Sequence, residues 1–317
     1  MVTDIFPLML RLVLPMALGL LSRRLRLLPE KGAEILRVFV VRICMPFLVF
    51  QNLFKARVDS LPQFFPATAA FVVLSLLYAV TGFWTARMLF RGTHRRNAYF
   101  IAVFMGNYGF LGWGVMHSFY GAGAFTRSVF FSMLFWPVFL LVGFAALLQM
   151  NHRKEGNSPS MGRMILANGA APIAAALLGI FANLGGLSIP APLAAWIEDF
   201  AAMSIPLILF TVGLGLTLRM RAANWKTLAL AAAHRLFFGF VLGWLTWKLV
   251  AALMPVDALT SRVILMEAVM PTAAMSPFFT LYFDTDRELL DGVIAVTTLI
   301  SMVSLVLWYP LVEWLVQ

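Results

Sequence analysis

The sequence predicts an all-α membrane protein whose ten transmembrane helices form two inverted five-helix repeats. Three observations lead there: the composition, the recurrence of long apolar runs, and the placement of basic residues. Apolar residues make up 62% of the chain and charged residues 12%, whereas soluble domains carry roughly 45–50% and about 25%. A soluble globule is therefore excluded. A β-barrel is also excluded, because the apolar runs show no alternation.

The apolar runs predict ten spans with short connections between them. Each run has the length of about 20 residues that crosses a hydrocarbon layer roughly 30 Å thick. Each must be helical, because a backbone exposed to lipid has to satisfy its own hydrogen bonds. The predicted spans are 5–22, 35–54, 64–86, 97–117, 127–149, 164–183, 193–217, 227–251, 262–282 and 292–316.

The basic residues lie mainly in alternate loops. One side of the predicted membrane holds fifteen Lys and Arg residues, the other side holds five, and four fall inside spans. By the positive-inside rule the richer side is cytoplasmic, so ten spans place both termini outside the cytoplasm. The net charge of +10 is thus a signal of orientation, and no nucleic-acid partner is expected.

The longest polar connection divides the chain into two halves. This predicted cytoplasmic loop, 151–162, separates a first repeat at 1–150 from a second repeat at 163–317. Because each half has an odd number of spans, the halves have opposite orientations, as in transporters built from inverted repeats. Several positions recur in the same order in both halves. They are Pro15 with Pro172, Pro46 with Pro206, the Gly109 region with Pro271, and Trp136-Pro137 with Trp308-Tyr309-Pro310.

The fourth and ninth spans each contain residues that interrupt a helix. The fourth reads MGNYGFLGWG over Met105–Gly114, and the ninth reads EAVMPTAAMSP over Glu267–Pro277. In a helix interior Gly costs about 1 kcal/mol and Pro about 3 kcal/mol. The two segments therefore predict broken helices that cross near the middle of the membrane, at corresponding places in the two halves.

Two crossed breaks predict a binding site for an anion. A broken helix exposes backbone N–H groups at the start of its second half, where the partial charge is positive. The Asn107 amide and the Thr272 hydroxyl could add donors. The candidate substrate-binding residues at the breaks are Gly106, Asn107, Tyr108, Gly109, Phe110, Met270, Pro271, Thr272 and Ala273.

Ionisable residues inside spans are costly and often functional. Glu267 could take up a proton, coordinate a cation or cap the break, which makes it the candidate for energy coupling. His234 and Arg235 are expected to extend to the cytoplasmic interface. No cluster has the spacing of a metal site, and neither a P-loop nor a nucleophile motif occurs. No metal, cofactor or enzyme activity is expected.

Four strings resemble segments of the auxin efflux carrier family, which includes the plant PIN-formed exporters and many bacterial permeases. GNYGFLG resembles the family's fourth-helix signature, and MPTAAMSPFFTLYF resembles its ninth helix. VVRICMPFLVFQNL and VIAVTTLISMVSLVLWYPLV are similar to its second and last helices. Two features depart from the family. Trp113-Gly114 stands where many members have proline, and the long central loop of the plant proteins is missing.

The resemblance implies how such a fold would work. Helices 1, 2, 6 and 7 would form a scaffold and a homodimer interface, and helices 3–5 and 8–10 a transport bundle that moves like an elevator. The substrate, a carboxylate or auxin-like acid, would bind at the crossing beside the second helix, where Phe50 lies. The protein would be a multi-pass permease in the lipid bilayer of a bacterial inner (plasma) membrane.

Two other functions stay open. A sodium-coupled symporter of the bile-acid carrier type would need acidic and amide groups around the crossing, where Glu267 and Asn107 are the clear candidates. A membrane sensor that does not transport would usually need an appended domain or a long loop.

Overall fold

The computed structural model describes residues 2–29, 32–55, 61–150, 161–215 and 225–317, and these residues are mostly helical. Most of the predicted loop 151–162 lies outside them. In the first half, α2 and α3 are joined by the π-helix Val40–Cys44, and the 3-10 turn Leu61–Phe64 leads into α4. The π-helix Tyr108–Gly112 precedes α6, and the π-helix Phe139–Gly143 joins α7 to α8. The helices are α1 (Val2–Arg24), α2 (Gly32–Phe39), α3 (Met45–Lys55), α4 (Phe65–Leu89), α5 (Thr93–Phe104), α6 (Trp113–Ser132), α7 (Phe135–Val138) and α8 (Phe144–Met150).

The second half has fewer interruptions. The π-helix Ala233–Phe238 joins α11 to α12, and the 3-10 helix Ser276–Leu281 follows α13. The helices are α9 (Met161–Leu184), α10 (Ala191–Gly215), α11 (Trp225–Ala232), α12 (Gly239–Leu253), α13 (Ala258–Ala268) and α14 (Arg287–Leu315).

Five helical runs within the described ranges are long and apolar enough to cross a membrane. They confirm that the described part of the chain is an α-helical structure with several apolar helices of membrane-spanning length. The full count of ten and the inverted relation of the halves stay predictions. The predicted fourth and ninth spans do not appear as continuous helices, because each consists of pieces on either side of a break. The five runs are 62–89, 108–150, 191–215, 225–253 and 287–315.

The run 108–150 is long enough for two passages, and it contains a kink at Gly121. Gly121 has φ 76° and ψ −167° inside α6, a left-handed φ that glycine adopts without steric cost. The part of α6 before Gly121 continues the predicted fourth span, and the part after it begins the predicted fifth.

The helices pack in two groups. Helix α1 lies along α10, and α3 lies along α9. The first pair approaches closely because it meets at glycine, since a Cβ on Gly213 would overlap the Met16 carbonyl and one on Gly19 the Phe210 carbonyl. Small residues at such contacts let helix backbones come together. Helices α4, α5, α6, α12, α13 and α14 pack around the two breaks.

Candidate functional site

The two breaks lie side by side and are hydrogen-bonded to each other. Helix α5 ends at Phe104, α13 ends at Ala268, and an isolated antiparallel β-bridge pairs Gly106 with Thr272. The Asn107 N–H donates to the Pro271 carbonyl at 2.8 Å, and the Ala273 N–H donates to the Met105 carbonyl at 2.8 Å. The predicted fourth and ninth spans are therefore both broken, and their breaks cross.

These hydrogen bonds occupy backbone N–H groups that the sequence predicts to be available to a ligand. The sequence predicts that backbone N–H groups at both breaks face a ligand, but those of Asn107 and Ala273 are used across the crossing. The Thr272 hydroxyl is used as well, because it donates to the Ala102 carbonyl at 2.8 Å, and the Thr272 N–H donates to the Thr297 hydroxyl at 3.2 Å. Buried backbone groups in a membrane must find partners, and here each break supplies them to the other.

Asn107 has a side-chain amide group whose N–H donors are available to a ligand. Its carbonyl accepts from the N–H groups of Leu111 and Gly112 at 3.2 and 2.9 Å, which begins the second half of the fourth span. Its side chain is buried, yet the amide nitrogen Nδ2 has no hydrogen-bond partner among the described residues. An unsatisfied buried donor costs about 1–3 kcal/mol, so Asn107 is held where a ligand could relieve that cost.

Asn107 lines a cavity of about 150 Å³ beside the crossing. Among the polar lining groups, the Ser132 hydroxyl is already used, since it donates to the Ser128 carbonyl and accepts from Trp113 Nε1, both at 2.9 Å. The wall is otherwise mainly apolar and rich in aromatic rings, as in many small-molecule sites. The aromatic lining residues are Tyr108, Phe110, Trp113, Phe130, Phe135 and Trp136.

The structure brings six of the ten candidate binding residues to this cavity. They are Gly106, Asn107, Tyr108, Gly109, Phe110 and Ala273. Met270, Pro271 and Thr272 are buried in the crossing behind it. Phe50 stacks on Phe54 with ring centroids 5.7 Å apart, and from the same predicted span Met45 and Leu53 line the cavity.

Arg235 lies at the crossing, completely buried, and the expectation that it extends to the cytoplasmic interface is wrong. Its Nε donates to the Met270 carbonyl at 2.8 Å and its Nη1 to the Val103 carbonyl at 3.2 Å. Its Nη2 donates to the Tyr108 hydroxyl at 2.9 Å. One guanidinium therefore joins the two broken helices, a task suited to its planar set of donors.

Aromatic rings hold this guanidinium in place. Its central carbon lies 4.1 Å from the Tyr78 ring centroid and 5.2 Å from that of Tyr108, distances at which a cation is attracted to a ring face. The Tyr78 hydroxyl also donates to the Ala268 carbonyl at 2.7 Å, at the end of α13. The site cation is thus packed between α4, the fourth span and the ninth.

His234 is also buried, contrary to the expectation from sequence. Its Nδ1 lies 3.0 Å from the Tyr99 hydroxyl and its Nε2 lies 3.1 Å from the Thr81 hydroxyl. Both ring nitrogens therefore have partners in neighbouring helices, which leaves His234 a structural role beside Arg235.

Glu267 is completely buried in the last turn of α13. Its Oε1 accepts a hydrogen bond from the Ser128 hydroxyl, and its Oε2 has no hydrogen-bond partner in the part of the chain that the structure describes. Gly112 leaves room for the carboxyl group, because a Cβ at that position would overlap both oxygens. The pairing of Gly112 with Glu267 is another contact between the two broken spans.

A larger cavity of about 1010 Å³ lies between α3, α10 and α6. Its lining includes Lys55, His117 and Arg127. We call this larger cavity the outer cavity. Phe64 lines it, and Phe130 lines the smaller cavity. The two rings stack with their centroids 4.3 Å apart. This aromatic pair is therefore part of the wall that separates the two cavities.

Proteins similar to this chain are named as membrane transporters. The family model described as "Membrane transport protein" matches residues 4–309. An uncharacterized transporter of Methanothermobacter thermautotrophicus is 26% identical over 300 residues, which cover 92% of this chain and 93% of the relative. An uncharacterized transporter of Methanocaldococcus jannaschii is 24% identical over 314 residues, 96% of this chain and 97% of the relative. Within the described residues no group of three or more His, Cys, Asp or Glu side chains could hold a metal ion.

Proposed function

Because this chain belongs to the membrane transport protein family, the auxin efflux carrier family, we propose that it is a secondary or facilitative carrier of a small organic anion. The family is one of membrane transporters and not of enzymes. The cavity at the crossing of the two broken helices is the proposed binding site.

The observation that carries this proposal is the unpartnered Asn107 amide nitrogen in the cavity wall. A carboxylate accepts a hydrogen bond from such a donor and removes the cost of leaving it unpaired. The buried guanidinium of Arg235 lies directly behind the same wall, where a positive charge favours an anion. The aromatic lining favours a substrate with an apolar or aromatic body next to its carboxylate.

Uptake by proteoliposomes tests the proposal. Radiolabelled phenylacetate, indole-3-acetate, malonate and succinate would be offered to the purified protein, with protein-free liposomes as the background. We expect at least one acid to enter faster than this background, and the aromatic acids to be preferred. If the protein accelerates none of these acids, the proposal of an organic-anion carrier fails for the classes that the cavity suits.

Asn107→Ala sharpens the same test. Loss of a hydrogen bond to a charged group costs roughly 1.5–3 kcal/mol, or about a tenfold to hundredfold loss of affinity. Asn183→Ala is the matched control, because the Asn183 amide donates to the Phe54 carbonyl at 2.5 Å and does not line the cavity. Equal affinity in the Asn107 variant and the parent would remove the cavity from consideration as the binding site.

We also propose that α3 and α9 belong to a stationary scaffold past which the crossing moves like an elevator. The outer cavity supports this, because it follows the seam between α3 and α10 on one side and α6 on the other. Cysteines at Gln51 and Ser118, on opposite sides of that cavity and in a Cys44→Ala background, would be joined by bismaleimides of several lengths. We expect cross-linking to stop uptake, while single-cysteine variants treated in the same way keep transporting.

Both termini are proposed to lie outside the cytoplasm. The fifteen-to-five distribution of basic residues between alternate loops supports this orientation. A reporter that is active only in the cytoplasm, fused after Gln317, should therefore be inactive. Strong reporter activity would contradict the ten-span arrangement.

A further inference from the structure

Arg235 places a permanent positive charge beside the helix breaks, where other carriers with broken helices bind a mobile cation. The carbonyls of Val103 and Met270, at or just beyond the ends of α5 and α13, both accept from its guanidinium. Carbonyls at such helix ends have partial negative charge, and in other transporters they coordinate Na⁺. Here these two carbonyls are already occupied by a side chain that cannot leave.

The guanidinium reaches the substrate cavity through Gly106. This residue lines the cavity, and a Cβ on it would overlap Arg235 Nη2 and the Tyr108 ring. The Gly106 backbone and the Tyr108 ring therefore lie between this charge and the cavity. In a buried, poorly solvated site, this arrangement attracts a carboxylate strongly even without direct contact.

Glu267 is a buried acid that interacts electrostatically with this charge. Among the described residues, the charged and titratable side chains that interact with it are Arg235 from the eighth span and Tyr108 from the fourth. The remaining polar contact is the Ser128 hydroxyl from the fifth span. Since Arg235 is completely buried, an ionised Glu267 would balance its charge in the empty site.

A bound carboxylate upsets this balance. The site would then hold two negative charges and one positive charge away from water, and an uncompensated buried charge is costly. A proton on Glu267 restores neutrality, because the carboxylate of the substrate then balances Arg235 alone. The unpartnered Oε2 is the atom that would receive the proton.

We propose that this carrier moves one proton on Glu267 with each molecule of acid, with Arg235 as the fixed cation of the site and with no requirement for sodium. The proposal rests on the function proposed above. The proton comes from water on the side where the acid enters, stays on Oε2 during the crossing, and is released with the acid on the other side. No bond other than this O–H bond forms or breaks.

The test measures acid and proton together. Proteoliposomes in sodium-free potassium buffer would contain the pH dye pyranine, and each acid of the panel above that the protein accelerates would be added in radiolabelled form. After subtraction of protein-free liposomes, which report leakage of the neutral acid, we expect one proton for each molecule of the monocarboxylates phenylacetate and indole-3-acetate, and no change of rate when sodium replaces potassium. Acid flux without proton flux, or flux that needs sodium, would overturn this inference and leave the proposed carrier function standing. Absence of any acid flux would remove both.

Glu267→Gln separates coupling from binding. The amide resembles the protonated carboxyl group but cannot release a proton, so the variant should still exchange internal for external acid faster than protein-free liposomes do. It should lose accumulation driven by a pH gradient. If a pH gradient still drives accumulation in this variant, Glu267 does not carry the proton. The matched control is Glu313→Gln. The Glu313 carboxylate lies 2.7 Å from Arg262 Nε and does not line the cavity, so this variant should still couple acid uptake to the pH gradient.

Arg235→Gln should weaken acid binding by about tenfold or more, as expected when a charged interaction is lost. The single variant also leaves Glu267 without compensation, so it could fail to fold. The double variant Arg235→Gln/Glu267→Gln restores neutrality and should recover a monodisperse protein while binding of the panel acids stays weak. Parental affinity in the double variant would show that Arg235 does not set the charge of the site.

Discussion

The two broken helices are interrupted by different residues. In the fourth span the break lies at Gly106, and the helix resumes at Tyr108. In the ninth span the break follows Val269 and includes Pro271. After its break the ninth span forms only the 3-10 helix Ser276–Leu281. The fourth-span break supplies five of the six candidate residues in the cavity wall, while the ninth-span break supplies carbonyls and hydroxyls to the crossing. One break therefore mainly lines the cavity, and the other mainly holds the crossing together.

The strongest test of this difference is a pair of glycine variants in the fourth-span break. Gly106→Ala would place a methyl group against Arg235 Nη2 and the Tyr108 ring, and the hydrogen bonds of Arg235 prevent it from moving away. Overpacking of this kind costs about 1–3 kcal/mol of the free energy of unfolding, and transport should be lost. Gly109→Ala meets nothing within 4 Å and should stay within about 0.5 kcal/mol of the parent. Thermal unfolding in detergent measures both, and equal effects would contradict the assigned packing of Gly106.

Thr272→Val tests the supporting role of the ninth-span break. It removes the hydroxyl that donates to the Ala102 carbonyl and leaves that acceptor buried, which should lower the free energy of unfolding by about 1–3 kcal/mol. Thr211→Val is the control, because the Thr211 hydroxyl is equally buried but donates to Ile208 within its own helix at 2.7 Å. A larger loss in the control than in Thr272→Val would show that the crossing does not depend on this bond.

The first halves of the two spans differ at their starts. Helix α13 is capped by Asp257, whose carboxylate accepts from the Thr260 N–H at 2.7 Å, whereas α5 begins after Gly92 without a side-chain cap. Asp257→Ala should therefore cost about 1 kcal/mol. Thr93→Ala, at the start of the uncapped helix, should cost less.

The same carboxylate predicts a dependence on pH. Partial burial alone would raise the pKa of Asp257, but hydrogen bonds from Arg127 and Thr260 outweigh it and lower the pKa below its ordinary value. The carboxylate therefore stabilises the fold above the ordinary aspartate pKa of about 3.9. This contribution is lost as the pH falls through the lower folded-state pKa. Unfolding measured from pH 6 downward should show this loss in the parent, and a smaller one in Asp257→Asn.

Pro271→Ala should have the smallest effect on stability. The crossing uses the Pro271 carbonyl and not its ring, so the hydrogen bond from Asn107 can persist in the variant. The loss of ring rigidity costs about 0.4–1 kcal/mol, through the unfolded chain. Transport should slow, because an added N–H lets the ninth helix extend into the break. Uptake at the parental rate, with protein amount matched, would show that glycine and not proline sets the rate of movement.

The breaks could be predicted from sequence, because glycine and proline have large, local costs in a helix. Their direct pairing could not, since it depends on the register of two segments far apart in the chain. The sequence predicts the wrong place for Arg235, because its distance along the eighth span suggests the cytoplasmic interface. A better signal was present, since Ala231, Arg235, Gly239 and Gly243 recur every four residues and form one buried face. An arginine within a stripe of small residues faces protein, and not lipid.

The reciprocal hydrogen bonds of the crossing can form only late in biosynthesis, after the ninth span has been made. The Ala102 carbonyl and its Thr272 partner are 170 residues apart, and at about 5–20 residues per second a ribosome needs roughly 8–34 s to make the chain between them. During this interval the first half of the chain already contains the Asn107 N–H and the Met105 carbonyl, but neither has its partner. The nascent first half must therefore be sheltered by water or by the insertion machinery until the ninth span arrives, and this is the stage at which quality control would most readily recognise the chain as unfinished.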